Sequence, residues 1–263
     1  MKIYIVTDNE GLSGVSSSSY ISEEKGRPDL IAESRKLLAA EINACVEGCA
    51  RGGATEIVVR DGHGGGQNVT RAMIDGRADL IGGQTPGVLL ADLDDSAGLI
   101  LLGYHAMAGT AGAVCEHTMS SAGWQNAWVN GRSIGEIGID AYIAGEHGVP
   151  VIMVSGDDKA CAEASDWLPD AVTCQVKKGF SCNGARMPSF ETSRSLITAK
   201  AEEAVRKAAA GKCALLTHDG PLTFKLELVS RGRLPVNPAY RHLDARTWEL
   251  DAETMEKALF FNW

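Results

Sequence analysis

Two carboxylates follow the first apolar run of the chain. Asp8 and Glu10 stand two positions apart, directly after Lys2–Thr7, which is predicted to be a strand. Side chains two apart on extended backbone point the same way, so these carboxylates either repel each other or share a cation. An isolated Asp-x-Glu pair is more often a capping or turn Asp beside a solvated Glu. The pair therefore becomes informative only if similar residues follow neighbouring strands.

Histidines follow two later predicted strands. His63 stands within Asp61–Gly66, where glycines remove side-chain bulk and let a ligand approach the backbone closely. A phosphate-binding loop is disfavoured, because no Lys-Ser or Lys-Thr pair follows and the spacing matches no dinucleotide motif. His105 comes after Tyr104 and the apolar run Gly98–Gly103. A single histidine after a strand is more often structural, but here the pattern occurs twice.

An acidic residue, Glu136, opens the helix predicted after the Asn130-Gly131 hairpin turn, where any Glu would also compensate the helix dipole. The residues that share this context, after a strand or at a helix start, are Asp8, Glu10, His63, His105 and Glu136. Their mixed nitrogen and oxygen donors suit zinc or another borderline divalent ion. Five ligands exceed the three that one catalytic zinc usually has, and they fit two ions that share a bridging carboxylate.

The cysteines offer a competing chemistry. Cys115 stands two residues before His117, and a cysteine nucleophile with a histidine base is a known arrangement. Such partners normally come from distant segments, however. Cys45 and Cys49 lie one helical turn apart, which is typical of a packed apolar face. The other histidines lack the strand-end context and are predicted to lie at the surface: His147, His218 and His242.

The elements that must position these residues alternate between short β-branched runs and longer amphipathic runs. This pattern is typical of an α/β fold with a mostly parallel sheet flanked by helices. The predicted strands are Lys2–Thr7, Thr55–Arg60, Asp79–Gly82, Gly98–Gly103, Pro150–Val154 and Val172–Lys177. The predicted helices are Leu30–Ala50, Gly135–Glu146, Asp157–Trp167 and Ser189–Ala210. A metal-binding catalytic core is expected over residues 1–185.

The C-terminal part has a different pattern. Leu222–Val229 alternates apolar and polar residues, which predicts a strand that is half exposed or at an interface. A short helix is expected from Asp251 to Phe261. Residues 186–263 are therefore predicted to form a smaller α+β segment, packed on the core or at a subunit interface. The apolar end Leu259–Trp263 favours a homo-oligomer, because a monomer rarely exposes such surface.

The composition disfavours several classes of binding partner and of cellular location. The 263 residues include 34 acidic and 25 basic side chains, a formal charge of −9, and the longest basic run is Lys177-Lys178. Binding to nucleic acid is disfavoured, because it requires clustered basic residues. Neither a membrane span nor a signal peptide is expected, since the apolar runs are too short. Seven cysteines, an odd number, favour free thiols and a cytoplasmic location.

Several short motifs, taken as a set, resemble the DppA-type zinc D-aminopeptidases in order and spacing from residue 1 to about residue 190. The segments that carry the resemblance are Met1–Gly14, Asp61–His63, Leu102–Ala106, Glu116–Met119, Ile134–Gly138 and Val154–Asp158. The resemblance implies two zinc ions in an α/β domain, a catalytic histidine at His117, and ring-shaped homo-oligomers that enclose the active sites. The zinc ligands that it implies are Asp8, Glu10, His63, His105 and Glu136.

The sequence also departs from that family pattern. Gly62 and Glu116 stand where the family commonly has serine, and the part after about residue 215 resembles the family only loosely. A carboxylate at Glu116 alters the charge beside His117 and can raise the pKa of that histidine. These departures change none of the implied metal ligands. They are expected to affect substrate preference instead.

Three functions fit these observations. The first is a binuclear zinc aminopeptidase or amidase that acts on short peptides or small amides, with the family resemblance pointing to peptides that begin with a D-residue. The second is a non-catalytic oligomeric ring that binds a metal or nucleotide at the glycine-rich edge. The third is a two-metal phosphoesterase, which would need basic side chains to hold phosphate, and the motifs offer only Arg60 and Arg132.

Overall fold

The computed structural model describes residues 1–22, 26–231, 235 and 237–260. Within these ranges the strands are β1 (Lys2–Thr7), β2 (Glu56–Asp61), β3 (Ala78–Ile81), β4 (Ser96–Tyr104), β5 (Trp124–Val129), β6 (Arg132–Ser133), β7 (Val151–Asp157), β8 (Val172–Ser181), β9 (Gly184–Arg186), β10 (Leu222–Leu228), β11 (Arg241–His242) and β12 (Thr247–Ala252). The α-helices are α1 (Pro28–Gly52), α2 (Glu136–Glu146), α3 (Asp158–Trp167), α4 (Phe190–Ala209) and α5 (Met255–Phe260).

One sheet contains seven of these strands, in the order β3-β2-β1-β4-β7-β8-β9. Neighbouring strands are parallel except for β8 and β9. Parallel strands are usually buried on both faces, which explains why the sequence shows them as nearly continuous apolar runs. The predicted fold class, a mostly parallel sheet flanked by helices, is confirmed.

Successive residues of β1 point to opposite faces of this sheet. Ile3 and Ile5 pack in a core with α1 and α4 on one face. Tyr4 and Val6 pack with α2 and the second sheet on the other face. Both faces are therefore covered, and the polar residues that follow the strands lie at the carboxyl edge.

A second, antiparallel sheet has the order β11-β12-β10-β5-β6. The predicted hairpin turn is confirmed, because Asn130 and Gly131 join β5 to β6 with φ angles of 52° and 82°, the positive values that a type I′ turn requires. On β10, the side chains of Leu222, Phe224 and Leu226 are buried. The alternating pattern thus corresponds to a strand whose apolar face is covered within the chain.

Each layer combines residues from before and after residue 185. β5 and β6 belong to the second sheet, whereas α4 packs against α1 on the first sheet. The proposed units 1–185 and 186–263 stay a prediction.

Two expectations for the C-terminal part are wrong. The helix expected over Asp251–Phe261 begins at Met255, because β12 pairs with β10 as far as Ala252; Phe261 itself lies outside the described residues. His218, predicted to lie at the surface, is instead partly buried, with a side chain that is 10% exposed. His147 and His242 are exposed, as predicted.

The apolar end of the chain is described only in part. Leu259 is buried against the core, and residues 261–263 lie outside the described ranges. Among the described helices, none has both the length and the apolarity needed to cross a membrane.

His218 joins the C-terminal part to α2. Its Nε2 lies 3.0 Å from Oε1 of Glu146, its Nδ1 lies 2.6 Å from the carbonyl oxygen of Gly220, and the same Glu146 oxygen accepts the N–H of Met255. Burial disfavours the charged imidazole, but the hydrogen bonds to Glu146 and Gly220 raise the pKa of His218 above its usual 6.5.

A His218→Gln substitution should therefore destabilise the fold more at about pH 6 than at about pH 9. A raised pKa in the folded state contributes stability that is complete below the unfolded pKa and is lost as pH rises through the folded pKa. Urea unfolding at both pH values measures the difference. The control is Glu146→Gln, in which His218→Gln should add little further pH dependence. An equal loss of stability at both pH values would contradict this account.

Candidate metal centre

The register of the parallel sheet brings the predicted ligands to one edge. Thr7, the last residue of β1, pairs with Asp61 on β2 and with Leu102 on β4. The side chains that follow these three strands therefore meet, and Glu136 joins them as the first residue of α2. The structure places together all of the predicted metal ligands, namely Asp8, Glu10, His63, His105 and Glu136. Their role as ligands stays a prediction.

The first ligand set consists of Asp8, Glu10 and His63. Nδ1 of His63 lies 2.8 Å from Oδ1 of Asp8 and 3.0 Å from Oε2 of Glu10. Each residue offers a donor atom within 4.8 Å of the others. The carboxylates that extended backbone was expected to align do converge on one imidazole.

The second ligand set consists of His105, His117 and Glu136. Nε2 of His105 lies 3.3 Å from Oε1 of Glu136, and Nε2 of His117 lies 3.6 Å from the same oxygen. The two imidazole rings are stacked, with centroids 4.0 Å apart. His117, which the sequence indicated only as a catalytic residue, therefore also has the position of a ligand candidate.

Asp8 connects the two sets. Its Oδ1 faces His63, and its Oδ2 lies 3.4 Å from Nε2 of His105. A carboxylate with one oxygen toward each of two donor sets has the geometry of a bridging ligand.

The donor atoms fit a divalent cation. Oδ2 of Asp8, Oε2 of Glu10 and Nε2 of His105 are buried yet make no well-formed hydrogen bond to a described residue. Buried polar atoms without partners are rare in proteins, and a bound ion or water commonly supplies the missing partner. Because the unpartnered atoms are carboxylate oxygens and an imidazole nitrogen, the set suits zinc.

The charges in the site favour the same interpretation. Burial and the neighbouring charge of Glu10 raise the pKa of Asp8 to about 6. Burial alone would also raise the pKa of Glu10, but the charge of His63 holds it well below its usual value. Burial opposes the charged forms of His63 and His105, yet the surrounding carboxylates raise the pKa of both imidazoles well above 6.5. The carboxylates thus require positive charge, which a bound cation can supply.

Backbone carbonyls orient two of the imidazoles. Nδ1 of His105 lies 3.0 Å from the carbonyl oxygen of Ala106, and Nδ1 of His117 lies 2.9 Å from that of Cys115. A carbonyl only accepts, so Nδ1 must carry the proton in both rings. In the neutral imidazole this leaves the lone pair on Nε2, the atom that faces the site.

Two buried acids beside the site were missed by sequence reasoning. Asp140 accepts a hydrogen bond from the hydroxyl of Tyr104, and burial raises the pKa of this acid to about 7. Glu163 accepts the N–H of Met107 at 2.7 Å, and burial raises its pKa to about 7 as well. A signal existed for Asp140, which lies one helical turn after Glu136 on the same face of α2.

Cys115 does not have the environment of a nucleophile. Burial raises the pKa of its thiol to about 12, so the reactive thiolate is disfavoured at neutral pH. His117 contacts the carbonyl of Cys115 with Nδ1, and the thiol lies 3.6 Å from the carbonyl oxygen of Cys182. Cys45 and Cys49 are buried in the core with free thiols, which confirms their packing role.

An open cleft of about 680 Å³ gives access to both ligand sets. Its other walls include Ser18, Ile21, Leu89, Met119 and Ser120. The N–H of Met119 donates to Oε1 of Glu136 at 2.6 Å, so the cleft wall is tied directly to a predicted ligand.

A cleft over paired carboxylate and imidazole sets, at the carboxyl edge of a parallel sheet, is typical of metal-dependent hydrolases built on an α/β sheet. A family model for D-aminopeptidases matches residues 1–262, and the chain belongs to this family. It is 35% identical over 202 residues to a D-aminopeptidase of Bacillus subtilis (strain 168), covering 76% of this chain and 72% of that protein. The chain is therefore a peptidase.

The fold is also similar to a solved structure. That structure is the Zn-dependent D-aminopeptidase DppA from Bacillus subtilis, described as a self-compartmentalizing protease. The TM-score is 0.89 at 30% identity, and the match covers 98% of this chain and 94% of the solved one. The resemblance found in the sequence motifs is thus confirmed, and the family and structural matches extend it over the C-terminal part, which the motifs matched only loosely.

The ends of β1 and β4 approach so closely that a side chain at Gly103 would disturb the site. Gly103 has a φ of 78°, and a Cβ there would collide with the carbonyl oxygen of Asp8. We expect Gly103→Ala to cost more than about 2 kcal/mol of folding free energy and to displace Asp8. Gly53→Ala is the matched control, because Gly53 also has a positive φ but no atom within 4 Å of the added Cβ. Urea unfolding of both variants provides the comparison, and an equal loss in the two would refute the collision.

Proposed function

We propose that this chain is a two-zinc aminopeptidase that removes the N-terminal residue of short peptides. The position of Asp8, with one carboxylate oxygen toward His63 and the other toward His105, is the observation that carries the proposal. In this assignment the residues that would hold the zinc are Asp8, Glu10, His63, His105 and Glu136, and Asp8 would contribute to both ligand sets.

Bound zinc would supply Lewis-acid polarisation of the scissile carbonyl and a water nucleophile that is acidic enough to react near neutral pH. His117 is the proposed proton-transfer residue. Its Nδ1 is held by the Cys115 carbonyl, which leaves Nε2 facing the cleft to take up or release a proton. Glu136 fixes the cleft wall by accepting the N–H of Met119.

The preference for an N-terminal D-residue is supported by the relatives, both of which are described as D-aminopeptidases. We expect Glu116, which stands where the family commonly has serine, to affect this substrate preference. Its carboxylate accepts the N–H of Gly109 at 2.6 Å, which ties it to the loop before His117.

The arginines near the motifs are engaged elsewhere, which disfavours a phosphoesterase. Arg60 donates to the carbonyl oxygen of Gly83 and to the hydroxyl of Thr85. Arg132 pairs with Asp166 and stacks on Trp167. A non-catalytic binding ring is disfavoured by membership of a peptidase family.

Assembly and location belong to the same proposal. A ring-shaped homo-oligomer is supported by the description of the solved relative as self-compartmentalizing. A cytoplasmic location is supported by the odd number of cysteines and by their free thiols in the structure.

Metal analysis of the purified protein, combined with a screen of matched D- and L-aminoacyl amides, tests the proposed function. We expect about two zinc ions per chain, loss of activity on chelation, recovery on addition of zinc, and faster turnover of the D-series. Asp8→Ala should lose metal from both sets, because Asp8 is shared. Intact metal content and turnover in that variant would refute the assigned site.

His117 and Cys115 separate a water nucleophile from a thiol nucleophile. Cys115→Ala should keep most of the activity, whereas His117→Ala should lower kcat by roughly 10²-fold or more with metal still bound. The measurement is kcat and metal content for both variants on one D-aminoacyl amide. An inactive Cys115→Ala protein with full metal would overturn the mechanism, and loss of zinc from His117→Ala would make His117 a ligand instead.

A further inference from the structure

A buried lysine holds the backbone segment that carries Glu10. Lys177 lies on β8 and is only 2% exposed. Its ammonium group donates to the carbonyl oxygens of Glu10, of Leu12 at 2.9 Å and of Val15 at 2.7 Å. An ammonium group has three N–H donors, and all three have acceptors here. The lysine therefore holds the turn that follows β1 in place through three hydrogen bonds.

A second buried side chain, from another element, supports the same turn. Glu41, on α1, accepts both the N–H of Ser13 at 2.8 Å and its hydroxyl at 2.6 Å. The backbone of residues 10–15 leaves the sheet after β1: the N–H of Gly11 still donates to the carbonyl oxygen of Gly103 on β4, but other polar groups of the turn need partners from elsewhere. Lys177 and Glu41 supply these partners from two distant elements.

The three hydrogen bonds of Lys177 go to the turn that carries Glu10 of the first ligand set. The lysine contacts the main chain of Glu10 itself, and it comes from a strand that contributes none of the predicted ligands. His105 and His117 are held instead by the carbonyls of Ala106 and Cys115. Removal of the lysine should therefore loosen one half of the site and leave the other half in place.

We propose that Lys177 is a positioning residue that fixes Glu10 for metal binding, so that it controls the affinity of the first ligand set. The inference rests on the proposed two-ion site. Residues that orient metal ligands typically change metal affinity by about 10–100-fold when they are replaced.

The test is a cobalt(II) titration of the metal-free protein, followed by the visible absorption of the bound ion and by competition with a chelator. Wild-type protein should bind about two ions. Lys177→Met keeps the length of the side chain and removes the donors, and it should weaken one of the two binding steps by at least about 10-fold. Lys207→Met is the matched control, because Lys207 also donates to a backbone carbonyl, that of Asp170, but far along the chain from the ligands. It should bind cobalt as the wild type does.

A double-mutant cycle distinguishes positioning from general destabilisation. If Lys177 acts through Glu10, then Lys177→Met should have little further effect on cobalt binding once Glu10→Ala has removed the ligand. An equal additional loss in the Glu10→Ala background would refute the proposal, as would two unchanged binding steps in Lys177→Met. If Lys177→Met does not fold, Lys177→Arg takes its place in the same cycle and is judged by the same outcomes. The guanidinium keeps the charge and the donors but has a different shape, so it should not reproduce the three bonds. Wild-type protein that binds one ion or none would instead refute the proposed two-zinc function.

Discussion

The position of one carboxylate between two imidazoles is the constraint on which the site depends. Asp8 can face His63 on one side and His105 on the other only because β1 lies between β2 and β4 in the sheet. A residue that follows an edge strand has a neighbouring strand end on one side alone. The strand order therefore determines which acid is shared, and the chain assigns that role to the first strand.

Burial of several carboxylates in one place makes positive charge necessary in the interior. Asp8, Glu10 and Glu136 lie in or beside the cleft, and these carboxylates raise the pKa of the neighbouring His63 and His105 imidazoles, which favours positive charge there. Isolated buried charges are costly, so this arrangement is stable only when paired or bound to a cation. Oδ2 of Asp8 and Oε2 of Glu10 still lack a well-formed hydrogen bond to a described residue. A cation between the carboxylates and imidazoles would give these buried oxygens a partner.

The sequence predicted what depends on local pattern and strand ends. The parallel strands, the hairpin at Asn130-Gly131 and the five ligand candidates follow from apolar runs and from the residues directly after them. The place of His117 beside His105 could not be predicted, because it depends on a loop without periodicity and on ring stacking. The support from Lys177 comes from a strand 167 residues after Glu10, and such a contact leaves no local signal. Pairing with β10 likewise overrides the helical pattern expected from Asp251.

The loop between His105 and His117 shows how carboxylates also position the second half of the site. Three backbone N–H groups of this loop donate to acids: Met107 to Glu163, Gly109 to Glu116 and Val114 to Asp157. Asp157 also caps α3, so this acid joins the loop to a helix of the core. Three backbone hydrogen bonds to carboxyl side chains within one loop limit its freedom. These bonds hold the loop in which His117 stacks on His105. A histidine positioned in this way suits proton transfer, since its Nε2 faces the cleft whether or not it coordinates metal.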